Sequence, residues 1–372
     1  MISRRLFQPL MIFALTVATL YADLDLDLPV LPKALPPSDT FVLDSPLQVR
    51  VHIDGQPQLL LGMDQGRLRL VFPDQPDAEV FLPLDAPGIQ LSYDPPEPYN
   101  DLALEQSLGN HRAVLDTMGS YADLLLPLLL VDAVQCNFHA IYLRYYVSVV
   151  AVEDLEFAIK ITEGIPHSAL SPVYLEQVRK LLARCIAEGN AQGAEKLLSI
   201  LFAVMDEQEF ASVGFSAADA LRAVGEYALT ARIYGTLATA ENELLRERAL
   251  LWAGYSSAVA GDLGAAERVL SAVPDLNRKN QNFLTLCLAR GRLHLAHNEY
   301  DLALRYLSRA MVLTSVNATF KPELYYLLIQ GHRASDQDAA AARLFNELKI
   351  FYPESPWMLK SQNEIEPTGL SL

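Results

Sequence analysis

The sequence predicts a mainly α protein, a helical-repeat solenoid preceded by a small antiparallel β unit. Three observations carry this. Small residues recur at Ala158, Ala194, Thr230, Ala266, Ala303 and Ala341, with spacings of 36, 36, 36, 37 and 38, and so steady a period is the mark of stacked supersecondary units. Between Phe41 and Tyr93 apolar and polar residues alternate, the period of half-buried strands. Between these regions Pro95, Pro96 and Pro98 interrupt strand and helix alike.

The first element is read as an export signal. Arg4 and Arg5 precede the apolar run Leu10–Leu20, and Tyr21-Ala22 precedes an acidic start at Asp23, so residues 1–22 form a cleavable signal peptide. A spanning helix needs about 20 apolar residues, so no membrane anchor is expected after cleavage. Ser3-Arg4-Arg5-Leu6-Phe7 resembles the twin-arginine signature, but Gln8 follows where an apolar residue belongs, which favours the general secretory route. The expected location is the periplasm or another exported compartment.

Residues 23–39 read as an extended linker, because the alternating Asp23–Leu28 run leads into Pro29, Pro32, Pro36 and Pro37, which cannot continue a ladder. Residues 40–95 are expected to form a small barrel or sandwich from strands at Leu47–Ile53, Gln58–Leu61, Arg67–Phe72, Glu79–Leu82 and Ile89–Tyr93, with Asp54-Gly55 as a turn. So small a module is marginal alone and should pack on helices. Residues 96–135 form a helical connector. Its apolar patch Leu124–Val131, bounded by Asp123 and Asp132, is too short for a membrane and reads as a core helix kinked or started at Pro127. The repeats occupy 136–360 and a tail 361–372.

Four residues after each repeating small residue lie Thr162, Leu198, Tyr234, Leu270, Leu307 and Phe345, and three further on lie Ile165, Leu201, Leu237, Val273, Ala310 and Leu348. These offsets share one helix face, with a small residue where helices approach and larger ones where they pack. Gly254 and Gly291 each stand twelve residues before the next small residue, Ala266 and Ala303. The last unit runs Ala341, Phe345, Leu348, Pro353.

This pattern resembles the tetratricopeptide repeat, over about residues 247–356, and its ending is similar to repeats of periplasmic envelope-assembly and cell-division-coordination proteins. Upstream, Leu182 and Thr230 depart from it, and Gly331 lies ten rather than twelve residues before Ala341. The resemblance implies helix pairs packed through Gly254, Ala266, Leu270, Gly291, Ala303, Leu307, Ala310, Ala341, Phe345 and Pro353. It also implies a groove lined by first helices, which would present Arg248, Leu251, Tyr255, Ala258 and Val259 from one unit and Thr285, Leu288, Arg292, Leu295 and Ala296 from the next to a protein or extended peptide. The expected function is that of an exported scaffold or adaptor, with two rivals: an envelope enzyme whose repeats recruit substrate, and a structural subunit of an oligomer.

Composition narrows the partners. Twenty-nine Lys and Arg against 45 Asp and Glu give a formal charge of −16, which opposes nucleic acid and anionic lipid. Apolar residues at 51% rule against disorder as the default. Cys136, Cys185 and Cys287 lie far apart without metal spacing and read as buried thiols.

No catalytic, metal or cofactor site is expected. His294 and His297 with Glu299 nearby could hold a metal, but His294 falls on a core position and no second cluster supports them. Gly254-Tyr255-Ser256-Ser257-Ala258 lacks the final glycine of a nucleophile elbow and lies inside a repeat helix. The β unit has one histidine, His52, with no nucleophile beside it. Tyr142, Tyr145 and Tyr146 read as helix packing rather than a ligand platform, and Asn317-Ala318-Thr319 is a weak glycosylation sequon.

Overall fold

The computed structural model describes residues 28–34, 40–51, 57–83, 90–95, 97, 99–316 and 318–365. The signal peptide, the Asp54-Gly55 turn, Pro96, Pro98, His52, Asn317 and residues from 366 onward lie outside that set. The chain divides into two compact units, one of Pro32–Phe210 and the other of residues 28–31 with the helices after Ala211. The proline-rich stretch near 95 therefore does not separate compact units.

The first unit holds strands β1 (Phe41–Val51), β2 (Pro57–Asp64), β3 (Arg67–Phe72), β4 (Gln75–Pro83) and β5 (Leu91–Ser92), in the order β4-β3-β2-β1-β5 with every pair antiparallel. Among the described residues this is one open sheet, in place of the expected barrel or sandwich. The reason lies in β4, exposed along nearly its whole length, so it offers no second apolar face for a sandwich to bury. Leu47, Val49, Val51, Leu60, Leu68 and Leu70 form the buried side. Backbone and side-chain hydrogen bonds tie the sheet to the start of the helical array: Leu91 N–H donates to the Gln135 carbonyl at 2.6 Å, and Asn137 accepts from Tyr93 N–H at 3.0 Å while its amide donates to the Tyr93 carbonyl at 2.9 Å.

Helices α1 (Leu102–Ser107), α2 (His111–Leu125), α3 (Phe138–Val152), α4 (Leu155–Gly164), α5 (Pro172–Ala187) and α6 (Ala191–Val204) complete this unit. The apolar patch is the end of α2 followed by a 3₁₀ turn at Pro127–Leu130, with Leu128, Leu129 and Val131 buried. Tyr142, Tyr145 and Tyr146 are buried in α3. Tyr146 stacks on Tyr174 and shares a 2.8 Å hydrogen bond with Thr162.

The second unit is built from the body of α7 (Glu207–Ala223) with α8 (Tyr227–Leu237), α9 (Glu243–Ala260), α10 (Leu263–Ala272), α11 (Phe283–Ala296), α12 (Tyr300–Leu313), α13 (Lys321–Ala334), α14 (Asp338–Phe351) and α15 (Pro356–Ile365). Helix α15 runs past 360, so the tail is shorter than expected. Helix α9 packs on α8, α10 and α11, and α13 on α12 and α14. None of the described helices is long and apolar enough to cross a membrane.

The repeat is written in the turns. Gly189, Gly225, Gly261, Asn298 and Asp336, each five residues before its small residue, have φ of 72°, 92°, 91°, 61° and 56°. In each case the next residue's N–H bonds the carbonyl five back: Asn190 to Cys185, Glu226 to Leu221, Asp262 to Ser257, Glu299 to His294 and Gln337 to His332. One left-handed residue thus ends a helix, satisfies one of its free carbonyls and reverses the chain. Only Gly, Asn and Asp take that conformation cheaply. The turn between α3 and α4 differs: Glu153 is extended, and Asp154 caps the next helix by accepting from Phe157 N–H at 2.8 Å.

All six small residues are buried, as are the residues four and seven positions beyond each. A Cβ on Gly254 would lie 2.6 Å from Leu270 Cγ, and one on Gly291 2.6 Å from Leu307 Cγ, so these helices meet at a distance only glycine allows. Gly331 meets Leu304 and Leu295 instead of Phe345, so the last pair packs in a shifted register. Pro353 follows α14 and is exposed.

Candidate partner-binding face

The polar side chains of α7, α9, α11, α13 and α15 converge on one buried carboxylate. Glu323, in the first turn of α13, is 0% exposed. One oxygen accepts from Arg222 Nη1 at 2.8 Å and the other from the Tyr255 hydroxyl. Arg222 also lies over the Trp252 ring, 4.4 Å from its centroid. Burial pushes the Glu323 pKa up, and Arg222, the Tyr255 hydrogen bond and Arg292 oppose that rise. Burial, reinforced by Glu323, also raises the Tyr255 pKa, so its hydroxyl stays protonated and donates. A buried charge needs such partners, because removing one leaves the other uncompensated.

Two smaller clusters flank this knot. Tyr234 donates to Asp219 at 2.7 Å, and Arg248 lies over the Phe215 ring at 4.4 Å. On the other side Tyr326 donates to Glu364 at 2.7 Å, Gln330 donates to both, and Lys360 lies 5.0 Å from the Tyr326 centroid. Arg292 stands between them without a committed role. Burial raises the pKa of Tyr227, Tyr255, Glu323 and Tyr326, and the Arg292 charge opposes it at all four. Its Nε, like that of Arg222, is buried with no hydrogen-bond partner among the described residues. The Nε is buried, so the half-buried Arg292 side chain could meet a carboxylate or a carbonyl only through the rest of its guanidinium.

The structure corrects the groove drawn from the sequence. Leu251, Tyr255, Ala258, Leu288 and Leu295 are buried, so they complete the core and are not open to a partner. Tyr255 is held by Glu323, and its truncation would destabilise the fold. Arg248, Thr285 and Arg292 remain partly exposed, as do Val259 and Ala296. Sequence reasoning missed Arg222 and Glu323. An acid in the first turn of a helix reads as a complement to the helix dipole, and nothing local signals a partner 101 residues away.

The two histidines part company: His294 bonds Glu299 at 2.6 Å and stacks on Tyr306, whereas His297 meets Glu267 at 3.2 Å. No group of three or more His, Cys, Asp or Glu able to hold a metal occurs among the described residues. All three cysteines are free thiols, with Cys185 and Cys287 buried and Cys136 half-buried. In the first unit a cleft of about 380 Å³ is lined by Lys33, Ala34, Glu163, His167, Lys196 and Ser199 among others. Lys196 and Glu163 neutralise each other at 3.0 Å, and burial, with Lys33, lowers the His167 pKa. No protein-family model matches the chain, and no curated protein is significantly similar to it.

Proposed function

We propose that this chain is an exported scaffold or adaptor of the tetratricopeptide type, which binds a protein or extended peptide partner in the cell envelope and performs no catalysis. One observation carries the reading. Helix α11 sets the half-buried guanidinium of Arg292 beside the buried Tyr255 and Tyr326 and the partly exposed Tyr227, and arginine is prominent in interface energetics. Within this knot, the groups with displaced ionisation, Glu323, Tyr255 and Arg222, are engaged with one another. The acidic charge and the Met1–Ala22 pattern point to a periplasmic protein with a basic or apolar partner.

Affinity capture from envelope extract with the wild type and with Arg292→Gln tests the face. A partner should be recovered about tenfold less by the variant, equivalent to about 1.4 kcal/mol. Equal recovery by both would remove Arg292 from the interface. Intact-mass measurement of the envelope-recovered protein should show loss of the residues up to Ala22, and a full-length cytoplasmic product would overturn the assignment of location.

A further inference from the structure

The segment Leu28-Pro29-Val30-Leu31 behaves as a bound ligand of helix α8. Proline fixes its own φ and holds the preceding residue extended, so Pro29 and the following Pro32 pre-set an extended chain at little entropic cost. Leu31 is buried while its neighbour Val30 is 46% exposed. The Leu31 N–H donates to Thr236 Oγ1 at 2.8 Å, and the Thr236 hydroxyl in turn donates to the Arg232 carbonyl at 3.0 Å.

Beside Thr236 stands Gly235, in the interior of a helix, where glycine costs about 1 kcal/mol relative to alanine. A Cβ there would lie 2.1 Å from the Pro29 carbonyl oxygen, and the three nearest atoms all belong to Leu28 and Pro29. Gly254 and Gly291 are different, because their nearest atoms belong to the leucine of a packed helix. Helix packing therefore does not account for glycine at 235, and the extended segment does.

We propose that Gly235 and Thr236 form a recognition site on α8 for an extended Pro-aliphatic-Leu segment, filled in cis by Leu28–Leu31 as a strap that a free segment of the same sequence can replace. Its chemistry is that of extended-peptide recognition: one main-chain hydrogen bond, one close backbone approach and one buried aliphatic side chain, with the alternate residue left in solvent. The site lies on a second helix of its pair and is independent of the Arg292 face.

Fluorescence anisotropy of a labelled synthetic peptide spanning residues 28–36, titrated with the full-length chain, tests this. Leu31→Asp should vacate the site and bind the peptide at least about tenfold more tightly than the wild type, whose own strap competes. Adding Gly235→Val to Leu31→Asp should abolish that binding with the circular dichroism spectrum unchanged. Three outcomes would each overturn the proposal: equal binding by wild type and Leu31→Asp, no binding by a folded Leu31→Asp chain, or unfolding of Leu31→Asp. The last would make the segment part of the core rather than an exchangeable strap.

Discussion

The helix seams and the buried polar knot of the second unit meet in helix α9 but obey different logic. A seam joins residues sixteen apart within one hairpin, Gly254 with Leu270 and Gly291 with Leu307, and recurs wherever the chain repeats. The knot joins Arg222 to Glu323, 101 residues apart, and occurs once. Local, periodic contacts stabilise any number of pairs, whereas a single long-range ion pair ties particular helices together.

The largest effect that separates the two should come from the knot. Glu323→Ala removes the 2.8 Å partner of buried Arg222 and leaves it only Asp219 at 4.0 Å, which should cost about 3–5 kcal/mol in chemical denaturation, whereas replacing both Glu323 and Arg222 with leucine should recover most of the loss. If the single and double variants are equally unstable, packing and not charge pairing dominates there. The same carboxyl gives a pH signature. Burial raises its folded-state pKa, so the folded chain holds the proton more tightly than the unfolded one, and its contribution to stability falls as pH rises from about 4.3, the unfolded carboxylate value, through the raised folded value. The wild-type stability minus that of Glu323→Gln should therefore decline over that window, and a rising difference would reverse the assigned direction.

Next come the seams. Ala303 is 0% exposed, and Ala303→Leu should overpack it at a cost of about 1–3 kcal/mol. In the turns, Asn298 has φ 61°. Asn298→Val should cost about 1–2 kcal/mol through strain, while Asn298→Gly should be neutral or slightly stabilising. The smallest effect belongs to exposed Arg305 on the outer side of α12, where alanine should change stability by less than about 0.5 kcal/mol. Comparable losses at Ala303 and Arg305 would mean that the repeat register is misplaced.

The turn pattern is present in the sequence but spread over several residue types. Gly189, Gly225, Gly261, Asn298 and Asp336 follow the same spacing as the small residues, yet three residue types share the position, so a search for one residue type passes over it. What unites them is tolerance of a positive φ, a backbone property. Strands β1, β2 and β3 were legible because a two-residue period needs only one buried face. Their failure to close into a barrel was not, because closure depends on whether β4 finds a partner.

Sequence alone determined the helix pairs, their period, and the small, Leu and Phe positions that pack them, because each of these contacts lies within one hairpin and follows from helical geometry. The resemblance to the tetratricopeptide repeat led to the expectation that Tyr255 and Arg292 share a face. Only the tertiary structure decided that Tyr255 is closed over by Glu323 and Arg222 while Arg292 keeps an unsatisfied N–H. It decided too that a proline-rich segment expected to be a linker lies against Gly235. Both depend on segments more than 60 residues apart, which no local period encodes and which burial of apolar and paired polar groups brings together only when the chain folds.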